Sequence, residues 1–267
     1  MNVLLKPAEL LWRGVNRLRR ALYRRGLLKA RRLPKPVVSV GAITIGGAGK
    51  TPATIAIGEY LRARGWRVAV LTRGYGRSGA GGRVTDADAA KFGDEPVLLT
   101  KIGDVIVGEN RYQNGLSINC DVYLLDDGFQ HLQLARDVDV VIDAPGKWLR
   151  EGRSALRDAD FVIPRRLEID VPKGRLFAFA GLADNEQFFR AVGAAGTMSF
   201  EDHHRYTAED LQRIRAAAKG FDAIVTTEKD AVKILLVREA DSDIIAVAAR
   251  FVIDPAILEA IEARLRR

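Results

Sequence analysis

Val37-Val38-Ser39-Val40-Gly41-Ala42-Ile43-Thr44-Ile45-Gly46-Gly47-Ala48-Gly49-Lys50-Thr51-Pro52 is the stretch that decides the fold. Its first seven residues are apolar or small and rich in β-branched side chains, which reads as a buried strand. A glycine-rich turn follows, and then a helical stretch over 53–64. Strand, glycine turn, Lys-Thr and helix form the P-loop arrangement. Backbone amides curl around phosphate oxygens there, and the helix N-terminus adds its partial positive charge. On this reading Gly46, Gly47, Ala48 and Gly49 cradle the phosphates of ATP. Lys50 holds the β- and γ-phosphates and Thr51 ligates Mg²⁺. The usual spacing has glycine at position 44, where this chain has Thr44; the alternative reading is a purely structural turn.

A second element supports the first. Asp121-Val122-Tyr123-Leu124-Leu125 reads as an apolar strand running into Asp126-Asp127-Gly128-Phe129-Gln130-His131. Acids at the carboxyl end of a buried strand lie beside the phosphate loop in this fold class. Two adjacent carboxylates repel unless a cation shares them, so Asp126 and Asp127 are candidate Mg²⁺ ligands.

Further strand-like runs occur at 67–73, 104–108, 139–144, 161–164, 175–181, 223–227 and 244–252, with helical patterns between many of them. Alternation of this kind predicts an α/β fold: a mainly parallel P-loop-type sheet with helices on both faces and a smaller C-terminal α/β lobe. The polar, proline-marked stretch from Pro164 to Gly174 is the expected boundary. The expected division is therefore 1–36 as an N-terminal appendage, 37–166 as the P-loop core and 167–267 as the second lobe.

The net charge of +8 is unevenly spread: residues 1–36 hold eleven Lys and Arg against the single acid Glu9, so the rest of the chain carries −2. Nucleic-acid binders wear their basic stripe on the folded domain, so nucleic acid is not an expected partner. In the appendage, Leu11, Val15, Leu18 and Leu22 mark one helical face and Arg13, Arg17, Arg20 and Arg24 a second stripe. Trp12 and Tyr23 suit a water–lipid boundary. No uninterrupted apolar run reaches spanning length, so the segment reads as a peripheral anchor on an anionic lipid surface. The alternative is a helix that packs on the body with a solvated basic face. The P-loop strand begins only at Val37, so removal of residues 1–25 is expected to spare nucleotide binding. The single cysteine, Cys120, lies in an apolar stretch and reads as a buried thiol in a reducing compartment.

Three loop clusters carry chemistry-bearing residues. Arg73-Gly74-Tyr75-Gly76-Arg77 ends a strand, Gly93-Asp94-Glu95-Pro96 opens a helix, and Glu201-Asp202-His203-His204-Arg205-Tyr206 holds two of the three histidines. For the last, a metal site, a catalytic or substrate role and a structural loop all stay open.

These clusters occur in one order. The sequence resembles the tetraacyldisaccharide 4'-kinase family along nearly its whole length. The resemblance is carried by the stretches 19–23, 46–52, 73–77, 93–96, 126–131, 202–206 and Thr226-Thr227-Glu228-Lys229-Asp230-Ala231-Val232-Lys233. It implies a two-lobed P-loop kinase with a membrane-associating N-terminal helix, peripheral on the cytoplasmic face of the bacterial inner membrane. Its implied reaction transfers the ATP γ-phosphoryl group to the 4'-hydroxyl of a tetraacylated glucosamine disaccharide 1-phosphate in lipid A biosynthesis. The phosphate-binding Lys and Mg²⁺ Thr then fall on Lys50 and Thr51, and the metal-site acids on Asp126 and Asp127. The proposed base falls on Asp94, and its histidine partner on either His203 or His204. Arg73, Tyr75 and Arg111 occupy positions where the family has active-site residues. Two departures stand out. Ala42 replaces the family's usual asparagine, and the stretch over 143–152 is shortened, keeping Arg150 and Glu151 but with Gly152 in place of proline.

The main rival is a membrane-associated P-loop ATPase switch. Such switches place a lysine before the glycine pair, and this chain has Ile45 there. A GTPase is disfavoured because Thr227-Glu228-Lys229-Asp230 has the wrong spacing for guanine recognition.

Overall fold

A computed structural model describes residues 5–44, 47–74, 79, 81–85, 89–145, 149–235, 237 and 243–267, with the side chains of 5–13 and 89–90 excepted. The chain divides into two compact units. The first comprises Met1–Arg73, Leu99–Arg166 and Phe251–Arg267, and the second Gly74–Leu98 and Leu167–Arg250.

In the first unit six strands lie in the order Asp104–Val107, Val68–Thr72, Val122–Asp126, Val37–Ala42, Val138–Asp143, Phe161–Pro164, each parallel to its neighbours. The central four are buried along almost their whole length, as expected of strands covered on both faces. Strand Val37–Ala42 sits between Val122–Asp126 and Val138–Asp143, and Val40 stands opposite Asp126. The glycine turn and the Asp126 end thus emerge side by side at the carboxyl edge, where the strand order reverses. Gly41 has no side chain for a packing reason: a Cβ there would come within 2.5 Å of the Phe129 Cβ. Phe129 joins Ile43, Val141 and Ala155 in the core beneath the turn. Cys120 is buried with Leu71 and Tyr123, and burial pushes its thiol up to about 11.

The second unit holds four parallel strands in the order Gly196–Ser199, Leu176–Ala180, Ala223–Thr227, Ile244–Val247. Alternate residues of Leu176–Ala180 face opposite ways. Leu176, Ala178 and Ala180 pack with Phe189 and Val192, whereas Phe177 and Phe179 pack with Leu211, Ile214 and Tyr206.

The structure groups the chain differently from the continuous lobes read from sequence. The C-terminal helix Pro255–Leu265 belongs with the first unit. Its Glu262 accepts from Trp66 Nε1 at 3.1 Å and from the Tyr60 hydroxyl at 3.3 Å. The stretch 244–252 splits into two strands, Ile244–Val247 and Ala249–Phe251, in different sheets.

The N-terminal helix Leu5–Arg24 departs from its reading at one residue. Arg20 is buried against Glu151 instead of lying in a solvated basic stripe. Val15 and Leu18 are exposed, at 43% and 61%, while Leu22 is half-buried. Among the described residues no helix is long and apolar enough to cross a membrane.

Candidate functional site

The glycine turn of the first unit ends at Gly49, whose φ of 83° caps helix Lys50–Ala63 from the left-handed region. A side chain there would be strained. Lys50 and Thr51 open the helix and Pro52 sits in its first turn, where no backbone donor is lost. Gly47 is exposed with φ 61°, and Ala48 is buried. Thr44 departs from the usual glycine without needing a glycine conformation, because it forms an antiparallel bridge with Leu149. Gly46 and Tyr75 lie outside the described residues.

Lys50 Nζ is 3.7 Å from Asp127 Oδ1, and Arg150 Nη1 lies 2.8 and 2.7 Å from the two oxygens of the same carboxylate. Burial alone pushes the Asp127 carboxyl upward, but Lys50, Arg150 and Arg111 outweigh it and hold it below the usual range. Asp127 also has φ 54°, rare for a residue with a Cβ. Asp126 is buried, with Oδ1 3.2 Å from Thr54 Oγ1 one turn into the helix. Arg111 is itself buried and donates to the carbonyls of Asp126 and Asp127 at 3.1 and 3.2 Å. Burial pulls its pKa down, against the opposing pull of those two carboxylates. Arg73 is exposed, 3.9 Å from Glu109. Thr54 and the Arg150 contact went unread in sequence. Thr54 reaches Asp126 across 72 positions of sequence, a contact that no local spacing signals.

The donor set fits a magnesium–nucleotide ligand. Mg²⁺ is ordinarily held by one or two carboxylates with phosphates and water, and Asp126, Asp127 and Thr51 supply that much. Among the described residues no cluster of three or more His, Cys, Asp or Glu forms a self-sufficient metal cage. Thr44 Oγ1, at the start of the turn, and Gln130 Oε1, in the loop after Asp127, are buried without a hydrogen-bond partner. Unsatisfied polar atoms of this kind need an outside partner.

In the second unit, Asp94 opens helix Asp94–Leu99 and is buried, its Oδ1 accepting from the Glu95 amide at 2.9 Å. Its Oδ2 lies 3.2 Å from His203 Nδ1. His203 has φ 61°; it and Asp127 are the two non-glycine residues with positive φ among those described. Strain of this sort collects at functional positions. The His203 amide donates to the Gly181 carbonyl at 3.3 Å, and the Gly181 amide donates to the buried Asp230 at 3.1 Å.

The structure separates the two histidines. His204 Nε2 is 3.0 Å from Asp210, which with Thr207 forms the capping box of helix Ala208–Ala217. Its ring packs on Phe200 at 4.6 Å and Tyr206 at 5.0 Å. His204 therefore locks the loop, and His203 faces the acid.

Sequence reasoning missed Lys229. Its Nζ lies 3.7 Å from Asp94 Oδ2, 3.7 Å from Glu95 and 3.8 Å from Asp202. Burial lowers its pKa, but Asp94, Glu95 and Asp202 more than reverse this, and the ammonium is held above its usual value. The signal was present: Lys229 sits in the first turn of helix Glu228–Ile234, where the helix dipole disfavours a cation unless carboxylates compensate.

The family model for tetraacyldisaccharide-1-P 4'-kinase, LpxK, matches residues 1–173 and 164–266. A tetraacyldisaccharide 4'-kinase of Pelobacter propionicus is 37% identical across 96% of this chain and 90% of its own length. The protein of the same name from Dechloromonas aromatica is 36% identical across 98% and 92%. Among solved structures, LpxK from Aquifex aeolicus in complex with ATP is similar with a TM-score of 0.77 at 26% identity, over 98% of both chains.

Proposed function

Since this chain belongs to the tetraacyldisaccharide-1-P 4'-kinase family, we propose that it transfers the γ-phosphoryl group of ATP to the 4'-hydroxyl of a tetraacylated glucosamine disaccharide 1-phosphate. The observation that carries this reading is the buried Asp94 with His203 Nδ1 at 3.2 Å. A phosphate loop alone serves an ATPase switch equally well. A buried carboxylate beside a histidine supplies a base for an alcohol acceptor, whose proton leaves as the new P–O bond forms.

The glycines at 46, 47 and 49 with Ala48 receive the ATP phosphates, and Lys50 neutralises charge on the transferring group. Thr51, Asp126 and Asp127 hold Mg²⁺, which when bound neutralises phosphate charge. Asp94 takes the 4'-hydroxyl proton. His203 orients Asp94, and Lys229 supplies a compensating positive charge beside it. Arg111 fixes the backbone at Asp126 and Asp127, and Arg73 and Tyr75 contribute to the nucleotide side. Transfer of this type depends mainly on position and charge neutralisation, so a modest base suffices.

The N-terminal helix seats the protein on the cytoplasmic leaflet of the inner membrane. The exposed Val15, Leu18, Leu27 and Leu28 lie among the exposed cations Arg17, Arg24, Arg25 and Lys29, which supports that reading. The test is to incubate purified protein with γ-labelled ATP and the disaccharide lipid and identify the product by mass. Labelled lipid with one added phosphate at the 4' position supports the proposal. ATP hydrolysis with no labelled lipid supports the switch instead.

A further inference from the structure

The N-terminal helix carries two faces, and only one of them suits a lipid surface. Asn16 and Arg20 are one turn apart and share a face. At about 100° per residue, Leu18 lies roughly 200° from Arg20 around the helix, nearly opposite. Leu18 is 61% exposed, whereas Arg20 and Asn16 are buried. A basic residue meant for anionic lipid has no reason to be buried, since taking a charge out of water is costly unless it is fully partnered.

Arg20 is fully partnered, and its partners are the segments that build the nucleotide centre. Its Nη2 donates to Glu151 Oε1 at 3.0 Å, and Nε pairs with the second oxygen of that carboxylate. The same Nη2 donates to the Phe129 carbonyl at 3.1 Å, and the guanidinium carbon stands 4.0 Å from the Phe129 ring centroid. Asn16 Nδ2 donates to the Arg150 carbonyl at 3.1 Å. On its other side Arg150 donates its amide to the Ile43 carbonyl at 2.7 Å, and its guanidinium holds Asp127. One residue of the helix therefore grips both the loop after Asp127 and the segment after Leu149.

We propose that Asn16 and Arg20 are positioning residues of the nucleotide centre: they hold Arg150 and the loop bearing Asp127 in register. The inference rests on the nucleotide-site reading above. It makes nucleotide affinity and membrane attachment properties of opposite faces of one helix. It also predicts, against the expectation that residues 1–25 can be removed without affecting nucleotide binding, that their loss weakens it by stranding the buried Glu151.

The test uses the full chain in detergent and a fluorescent ATP analogue, titrated with Mg²⁺ and again with EDTA, beside a thermal melt. Arg20→Lys loses the forked geometry that an ammonium cannot reproduce, and Asn16→Ala loses the Arg150 tether. Both are expected to weaken affinity about tenfold in Mg²⁺. The loss is expected to be much smaller in EDTA, since the effect runs through Asp127. Arg20→Ala with Glu151→Ala removes the buried pair together, and Asp158, 3.4 Å from Arg20 Nη1, keeps Arg24 at 3.5 Å; the double variant is expected to fold and to show the same Mg²⁺-dependent loss. Leu18→Ser is expected to keep nucleotide affinity and bind phosphatidylglycerol vesicles more weakly. A folded double variant, or a folded Asn16→Ala, with unchanged affinity in Mg²⁺ overturns the inference. Absence of nucleotide binding by the unaltered chain would overturn the site reading itself, and the inference with it.

Discussion

In the first unit the acids Asp126 and Asp127 are adjacent in sequence, and their cations arrive from several places: Lys50 across the glycine turn, Arg150 from the segment beyond it, and Arg111 against their backbone. In the second unit Asp94 has no acidic neighbour but Glu95. His203 and Lys229 reach it from segments more than a hundred residues away. The first centre is built around a local strand–turn–helix unit, and the second is assembled entirely by tertiary packing. Each has one non-glycine residue with positive φ, Asp127 in one and His203 in the other. Backbone strain thus marks both clusters, although only one is marked by spacing.

The comparison is sharpened by variants expected to separate chemistry from nucleotide binding. Asp94→Asn keeps the shape and removes the base. It is expected to lower kcat by about 10²- to 10⁴-fold with ATP affinity nearly unchanged. A drop of less than about tenfold, with altered Mg²⁺ dependence, would make Asp94 a metal or structural residue. Lys50→Ala is expected to lower turnover by about 10²- to 10³-fold while the melting temperature changes little, because it strips charge from the transferring phosphate. Near-normal turnover would break the P-loop assignment.

The histidines give a smaller and asymmetric effect. His203→Ala is expected to lower kcat by roughly tenfold or more without large loss of stability. His204→Ala is expected to reduce stability by about 1 kcal/mol through the lost Asp210 contact, with kcat nearly unchanged. Equal small losses would return the whole loop to a structural role.

The phosphate loop was legible because a P-loop is local: the strand, the turn, Lys50 and Thr51 lie within one contiguous stretch. The parallel sheet followed from the continuous apolar runs at Val37–Ala42 and Val122–Asp126. Spacing alone did not distinguish His203 from His204; the distinction depends on the positive φ at His203 and on the capping box that engages His204. Lys229 was overlooked because its carboxylate partners are distant in sequence. Helical periodicity places Arg20 in a basic stripe because it shows which residues share a face but not what that face meets.

The smallest expected effect concerns pH. Burial first, and then Arg111, Arg136 and Arg19, push the His131 imidazole down to about 4, whereas the unfolded value is about 6.5. The folded state therefore binds fewer protons than the unfolded state between these values. This contribution is level above about pH 6.5 and destabilises the fold progressively as pH falls toward 4. Denaturant melts of the parent and of His131→Leu between pH 7 and 4 check this: the variant is expected to show a shallower decline. An identical slope would remove His131 as a cause.

Single-turnover transfer from γ-labelled ATP to the disaccharide lipid, run beside nucleotide binding for the parent and Asp94→Asn, tests the central claim most directly. The expected result is a 4'-phosphorylated lipid from the parent, with the variant binding ATP comparably and forming product at least about 10²-fold more slowly. ATP hydrolysis by the parent without phosphorylated lipid, or undiminished transfer by the variant, would contradict the account.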